Sequence, residues 1–222
     1  MLDNNSPNYL TMVEVIMNSR SLASWFLIIG PILCFATFPF WPQEPTASEE
    51  LTELVKNGQQ SILLLLLFTT GMTLLFCGLS MASREIAGSD TKNSALAIPA
   101  AILFPIAMAV IAIGIAFNIG ALQMYETSPD MAQSVYLIAY YSFEGTGVCL
   151  FLSFALLGTA LITGYESMIC KIIGALYVVV AIAHFSSLFF GPNSSADFVG
   201  FIGMFIVSIL FGIVSLRGQT QE

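Results

Sequence analysis

Few residues in this chain could support acid–base or ligand chemistry, and three of them occur inside long apolar segments. They are Glu144, Asn118 and His184, the last being the chain's single histidine. A charged side chain in the middle of a bilayer costs about 2.5–3.5 kcal/mol on insertion scales. We therefore expect Glu144 to lie between helices and to be either protonated or paired, with His184 as its predicted partner.

Two interpretations of this polar set remain open. In the structural one, Glu144 and His184 form a hydrogen-bonded clasp between neighbouring helices, which contributes about 1 kcal/mol. In the functional one, they line an outward-facing polar pocket that binds a small ligand or cation, or relays a proton. Tyr140 and Tyr141 lie one helical turn from Glu144, and with Asn118 they complete the predicted site.

Most enzyme classes are excluded by what the sequence lacks. One histidine cannot supply the paired axial ligands of a typical membrane b-type haem or the several ligands of an intramembrane zinc or di-iron enzyme. The segment Gly145-Thr146-Gly147 lacks the serine of a nucleophile elbow, and no glycine-rich phosphate loop is present. We predict no enzymatic activity and no metal site, and the sequence identifies no cofactor.

The composition of the chain indicates which secondary-structure elements hold these residues. Of 222 residues, 57% are hydrophobic and 9% are charged, which excludes a water-soluble globule. Continuous apolar runs favour helices over the alternating strands of a membrane barrel. We predict an all-α, six-helix transmembrane bundle with short loops, forming one membrane domain over residues 1–222. An interfacial segment over 1–20 precedes spans at about 22–41, 61–82, 95–122, 134–163, 172–190 and 198–216.

The basic residues predict the orientation of these spans. Five of the six lie on one side of the predicted topology, namely Arg20, Arg84, Lys92, Lys171 and Arg217, and Lys56 lies on the other. The positive-inside rule then places both termini in the cytoplasm, in an inner or plasma membrane. Glu144, His184 and Asn118 fall in the outer half of the bilayer, about 10–15 Å deep.

Acidic residues dominate the predicted outer side. We interpret them as a solvated surface: Glu44, Glu49, Glu50, Glu53, Glu126, Asp130 and Asp197. Within the first outer loop, Thr46 and Glu49 have the spacing of a capping box. Leu51 and Leu54 follow on one face, which predicts a short helix lying on the membrane and ending near Asn57. The net charge of −8 argues against nucleic-acid binding.

Small residues spaced one turn apart indicate close helix packing. Ala116 with Gly120, and Gly145 with Cys149, are examples. Such pairs say little about function.

One region resembles a known family. The sequence from Phe154 to Tyr165, FALLGTALITGY, is followed by Lys171 to Val180, KIIGALYVVV. This pattern is similar to the fourth-to-fifth span region of a bacterial family of six-span membrane proteins of unknown function, in which a short basic loop joins two glycine-containing helices. Here the loop has one base and an acid, Glu166. The resemblance implies six spans and transfers no activity or site residue.

Two functions remain for the predicted bundle. The first is a binding or transport protein that uses the outer pocket. The second is a non-catalytic accessory subunit of a larger membrane complex, which the short loops and 18 phenylalanines would suit. The expected partners are the lipid bilayer and either further copies of the chain or other membrane subunits.

Overall fold

The computed structural model describes residues 8–42, 44, 46–190 and 194–219, with the side chains of 8–19, 143, 144 and 219 outside that description. These residues form seven α-helices and no strands. The helices are α1 (Asn8–Thr37), α2 (Ala47–Lys56), α3 (Gly58–Ala87), α4 (Ala97–Met124), α5 (Pro129–Gly164), α6 (Met168–Phe190) and α7 (Ser195–Gln219).

Six of these helices, all except α2, are long and apolar enough to cross a membrane. The predicted six-helix architecture is therefore confirmed. Helices α3, α5 and α7 extend past the predicted spans at both ends, whereas α1 ends at Thr37, four residues before its predicted boundary, and α4 begins at Ala97, two residues after its predicted boundary. From Asn8 onward, the interfacial segment predicted over residues 1–20 is continuous with the first span, because α1 has no break between Asn8 and Thr37.

The six long helices form a closed ring. Helix α1 packs against α3, and α3 to α7 each pack against the next helix in the chain. The ring closes where α7 returns to α1. Long helices that follow one another in the chain are thus antiparallel. Each end of the ring therefore contains the N-termini of three long helices and the C-termini of the other three. The end that contains α2 is called the α2 end below.

Glycines bring three helix pairs into backbone contact. A Cβ atom on Gly30 would lie 2.7 Å from the carbonyl oxygen of Gly71, joining α1 to α3. A Cβ atom on Gly158 would lie 2.5 Å from the carbonyl oxygen of Gly174, where α5 meets α6. A Cβ atom on Gly212 would lie 2.7 Å from the carbonyl oxygen of Ser24, where α7 meets α1. Only glycine permits such an approach.

The expectation that Gly120 and Gly145 pack closely is wrong. No described atom lies within 4 Å of a Cβ built on either residue. Spacing alone identified small residues on a helix but not which of them face a neighbour.

Aromatic rings fill the half of the ring farther from the α2 end. A chain of contacts crosses five helices, with ring centroids 5.1–6.0 Å apart. Its members are buried and come from α3 to α7 in order: Phe76, Phe104, Phe154, Tyr177 and Phe211. This aromatic chain closes the interior of the bundle at that level.

The short helix α2 forms over the predicted residues, but the prediction that it lies on the membrane is wrong, because its apolar face packs against the bundle. Thr46 caps it, with its hydroxyl accepting a hydrogen bond from the Glu49 backbone N–H, and Asn57 ends it. The Glu49 carboxylate accepts a hydrogen bond from the Thr46 hydroxyl at 2.6 Å. Leu51 and Leu54 are fully buried against the bundle, so the apolar face of α2 packs on protein.

Candidate functional site

A cavity of about 750 Å³ lies inside the ring toward the α2 end. Its walls come from the segment between α1 and α2, from α2 itself, and from α3, α4 and α7. The lining residues are Phe38, Trp41, Pro42, Glu44, Glu50, Leu65, Phe68, Met72, Ile115, Asn118, Asp197, Phe198, Phe201 and Ile202. Glu44 and Phe198 are exposed, so the cavity reaches the molecular surface at the α2 end.

Packed aromatic side chains close the cavity at its other end. Phe76 lies one turn beyond Met72 on α3 and belongs to the aromatic chain. Phe205 lies one turn beyond Phe201 on α7 and is fully buried. Its ring contacts Phe35 and Phe38 at centroid distances of 5.3 and 5.9 Å. The cavity is therefore a dead-end chamber in this conformation.

Asn118 is the buried polar residue of the cavity wall. Its side chain is 5% exposed, and its Oδ1 atom accepts no hydrogen bond from any described residue. It lies six residues before the end of α4, about 9 Å into the bundle. A buried acceptor without a donor costs about 1–3 kcal/mol, so this position favours an occupant that donates a hydrogen bond.

Glu50 is held at the cavity by two donors from other elements. The indole N–H of Trp41 donates to its Oε1 atom at 2.8 Å. The Tyr136 hydroxyl, from α5, donates a second hydrogen bond. Burial raises the pKa of Glu50 above the ordinary glutamate value, and the two donors partly oppose that shift. Glu50 thereby ties α2 to α1 and α5 and fixes its carboxylate beside the cavity.

The charges on the lining are all of one sign. Glu44, Glu50 and Asp197 are acidic, and no described residue of the lining is Lys, Arg or His. Lys56, on the same end, has its ammonium group 2.6 Å from Glu53 Oε2. No three His, Cys, Asp or Glu side chains in the described part of the chain come together as metal ligands would. The negative charge of the cavity lining thus favours a cation that is not held by a cluster of metal ligands.

His184 lies behind the cavity wall. Its side chain is 2% exposed, and its Nε2 atom has no hydrogen-bond partner among the described residues. The imidazole stacks on Phe154 of the aromatic chain and meets the edge of Phe201, which lines the cavity. Gly200 leaves room for the ring, since a Cβ there would lie 3.0 Å from its Nδ1 atom.

The predicted Glu144–His184 contact involves a side chain outside the described residues. The backbone of Glu144 lies in α5, and the glycine contacts set the register of α5 against α6. Gly147 faces the segment from His184 to Leu188, as Gly158 faces Gly174. Glu144, one turn before Gly147, is therefore level with Leu188, about one turn from His184 toward the α2 end. The clasp stays a prediction.

The two predicted tyrosines lie away from the cavity lining. Tyr141 is 57% exposed on the outer surface of α5, and its ring meets that of Tyr140 with centroids 5.5 Å apart. Tyr140 is half-buried. Of the five predicted site residues, the structure places Asn118 in the lining. His184 lies behind the lining residue Phe201.

Glu50 and Trp41 were not predicted from the sequence as site residues. Glu50 was assigned to a solvated acidic surface, whereas the structure buries most of it between Trp41 and Tyr136. A signal was available, because Glu50 is four residues before Leu54 and therefore shares the buried face of α2. Trp41 reaches Glu50 across nine residues, and no sequence pattern predicts that hydrogen bond.

Comparison with protein-family models, with curated proteins and with solved structures finds no match for this chain. The cavity and its lining therefore supply the evidence on function.

Proposed function

We propose that this protein binds a small molecule in the cavity at the α2 end, and that this end faces the outside of the cell. The observation that carries the proposal is Asn118, a buried acceptor without a described donor in the wall of a 750 Å³ chamber. Buried polar atoms in folded proteins nearly always have partners, so an unpartnered one in a cavity wall calls for an explanation, and a bound molecule supplies one.

The dimensions and lining of the cavity support this function. Small-molecule sites are typically clefts of about 300–1,000 Å³ with apolar and aromatic walls and a few polar groups. This cavity has five aromatic residues and four polar ones, with apolar side chains between them. The outward-facing apolar residues of the ring, such as Ile113 and Phe189, suit contact with lipid and point to no particular protein partner.

Transport would require a further step. A ligand that crossed the bundle would have to pass the aromatic chain, whose closest pair is Phe104 and Phe154 at 5.1 Å. The closed chain supports binding in the present conformation, with transport only if these rings separate.

Thermal unfolding of the purified protein in nanodiscs tests the proposal. The probes are three small aromatic molecules with one skeleton: 3-phenylpropylamine, 3-phenylpropanol and 3-phenylpropionate. At least one should raise the unfolding temperature in a saturable manner. Ile115→Phe, which places a larger ring in the cavity wall one turn from Asn118, should weaken the effect. Ile113→Phe, two residues away on the exposed face of α4, should retain it. No stabilisation by any probe, or equal stabilisation of the Ile115→Phe protein, would overturn the proposal.

Native mass spectrometry of the gently solubilised protein separates this function from that of an accessory subunit. A small-molecule adduct that is reduced in the Ile115→Phe protein supports binding. A second membrane chain at fixed stoichiometry, without an adduct, would instead favour the subunit.

A further inference from the structure

The cavity lining combines two features that recur in sites for organic cations. Five aromatic side chains face it, from Phe38, Trp41, Phe68, Phe198 and Phe201, and three carboxylates accompany them. Aromatic faces attract ammonium groups through the ring quadrupole. Carboxylates in a partly desolvated cleft add attraction for the same charge.

Asn118 supplies the second, independent indication. Its unpartnered Oδ1 atom accepts hydrogen bonds and cannot donate them. A protonated amine with at least one N–H satisfies such an atom, whereas a carboxylate or phosphate does not. The orphan acceptor therefore selects a hydrogen-bond donor, and the negative charge of the lining selects a donor that is positively charged.

We propose that the ligand is an organic ammonium ion with an apolar body, held by the carboxylates and aromatic rings of the cavity and donating a hydrogen bond to Asn118. This inference rests on the proposed function, since it names the chemical class of the molecule that occupies the same cavity. The apolar body packs against Leu65, Met72 and Ile115.

Glu50 is suited to respond to such a ligand. The donors Trp41 and Tyr136 orient its carboxylate, and burial disfavours its ionised form when the cavity holds no cation. A bound ammonium group offsets that penalty and lowers the pKa of Glu50. Amine binding should therefore tighten as the pH rises through the titration range of this carboxyl group, as long as the amine remains protonated.

Equilibrium binding of the three probes in nanodiscs tests the inference. At neutral pH 3-phenylpropylamine is a cation, 3-phenylpropanol is neutral and 3-phenylpropionate is an anion. We expect the dissociation constant of the amine to be at least about tenfold below that of the alcohol, and the anion to bind more weakly still.

Two variants assign the roles of the polar groups. Glu50→Gln should weaken the amine about threefold or more and leave the alcohol unchanged, because only the amine is charged. Asn118→Leu should weaken both, because both donate a hydrogen bond. Glu126→Gln, an exposed acid outside the cavity, is the matched control and should change neither.

The lipid composition of the nanodisc distinguishes two sources of the ammonium group. If the natural occupant is a lipid headgroup, phosphatidylethanolamine discs should weaken the apparent affinity for the amine relative to phosphatidylcholine discs, which are also zwitterionic but whose quaternary ammonium has no N–H to donate. If the occupant is a free amine, the ratio between amine and alcohol should be the same in both discs.

The outcomes separate this inference from the proposed function. Equal or tighter binding of the alcohol or the anion would overturn the ammonium assignment while leaving small-molecule binding intact. Amine selectivity that is unaffected by both Glu50→Gln and Asn118→Leu would also overturn it. If none of the three probes binds, both proposals fail.

Discussion

At the scale of single residues, Asn118 and Tyr177 are two buried polar side chains with opposite surroundings. The Tyr177 hydroxyl lies 3.2 Å from Ser208 Oγ, in hydrogen-bond contact, whereas Asn118 Oδ1 has no donor among the described residues. This difference suggests that Asn118 is retained for binding and Tyr177 for packing.

We predict that Asn118→Leu stabilises the ligand-free protein. The substitution removes a buried acceptor without a partner and adds apolar volume, so the unfolding free energy should rise by about 1 kcal/mol. Tyr177→Phe is the comparison, because it breaks an existing hydrogen bond and should lower stability by a similar amount. Thermal unfolding in detergent measures both. Destabilisation by Asn118→Leu would show that its amide is already satisfied.

Glu50 should make stability depend on pH. Because burial raises the pKa of Glu50, the folded protein binds this proton more tightly than the unfolded chain does. The contribution is fully present below the ordinary glutamate range and is lost as the pH rises through the raised pKa. Glu50→Gln should remove this part of the pH dependence, and Glu126→Gln should retain it. A rise in the Glu50-dependent stability with pH would contradict this assignment.

Residue patterns predicted part of the site. Asn118 was predicted as a site residue because a polar amide is unusual within an apolar helix. Glu50 was missed because its burial depends on how α2 folds back between Trp41 and Tyr136, which are 9 and 86 residues away in sequence. The exposed position of Tyr141 depends on the rotation of α5, which a uniformly apolar helix does not encode.

At the scale of helices, glycine contacts define the packing of the ring. We predict that Gly158→Ala destabilises the protein by about 1–3 kcal/mol, because its Cβ would meet the Gly174 carbonyl at 2.5 Å and separate α5 from α6. Gly120→Ala, with no described atom within 4 Å, should instead be neutral or stabilise by up to about 1 kcal/mol. Chemical denaturation of both variants measures the difference. Equal effects would show that the two helices do not approach as closely as described.

The existence of the helices was predictable, and their facing was not. Apolar length identified all six spans, and the capping residues Thr46 and Asn57 located both ends of α2. Both patterns are local in sequence. The pairs Gly30–Gly71 and Gly158–Gly174 join different helices and required the tertiary structure.

At the scale of the whole molecule, five basic residues belong to one end of the ring. Arg20 and Glu85, from α1 and α3, lie there with their charged atoms 3.9 Å apart, and Arg84, Lys92, Lys171 and Arg217 occupy adjacent helix ends or loops of that same end. We predict that this end is cytoplasmic. In a protein whose four native cysteines are replaced by alanine, a cysteine at Asn57 should react with a membrane-impermeant maleimide in intact cells, and one at Gly218 should react only after lysis. The reverse pattern would contradict the proposed orientation.

The fluorescence of Trp41 is the most direct measure of ligand binding in the cavity. Replacing Trp25 by Phe leaves Trp41, a lining residue, as the sole tryptophan. Titration with 3-phenylpropylamine should change its emission in a saturable manner. Ile113→Phe should preserve the apparent affinity, while Ile115→Phe should weaken it. An emission that does not respond, or that responds identically in both variants, would contradict the account.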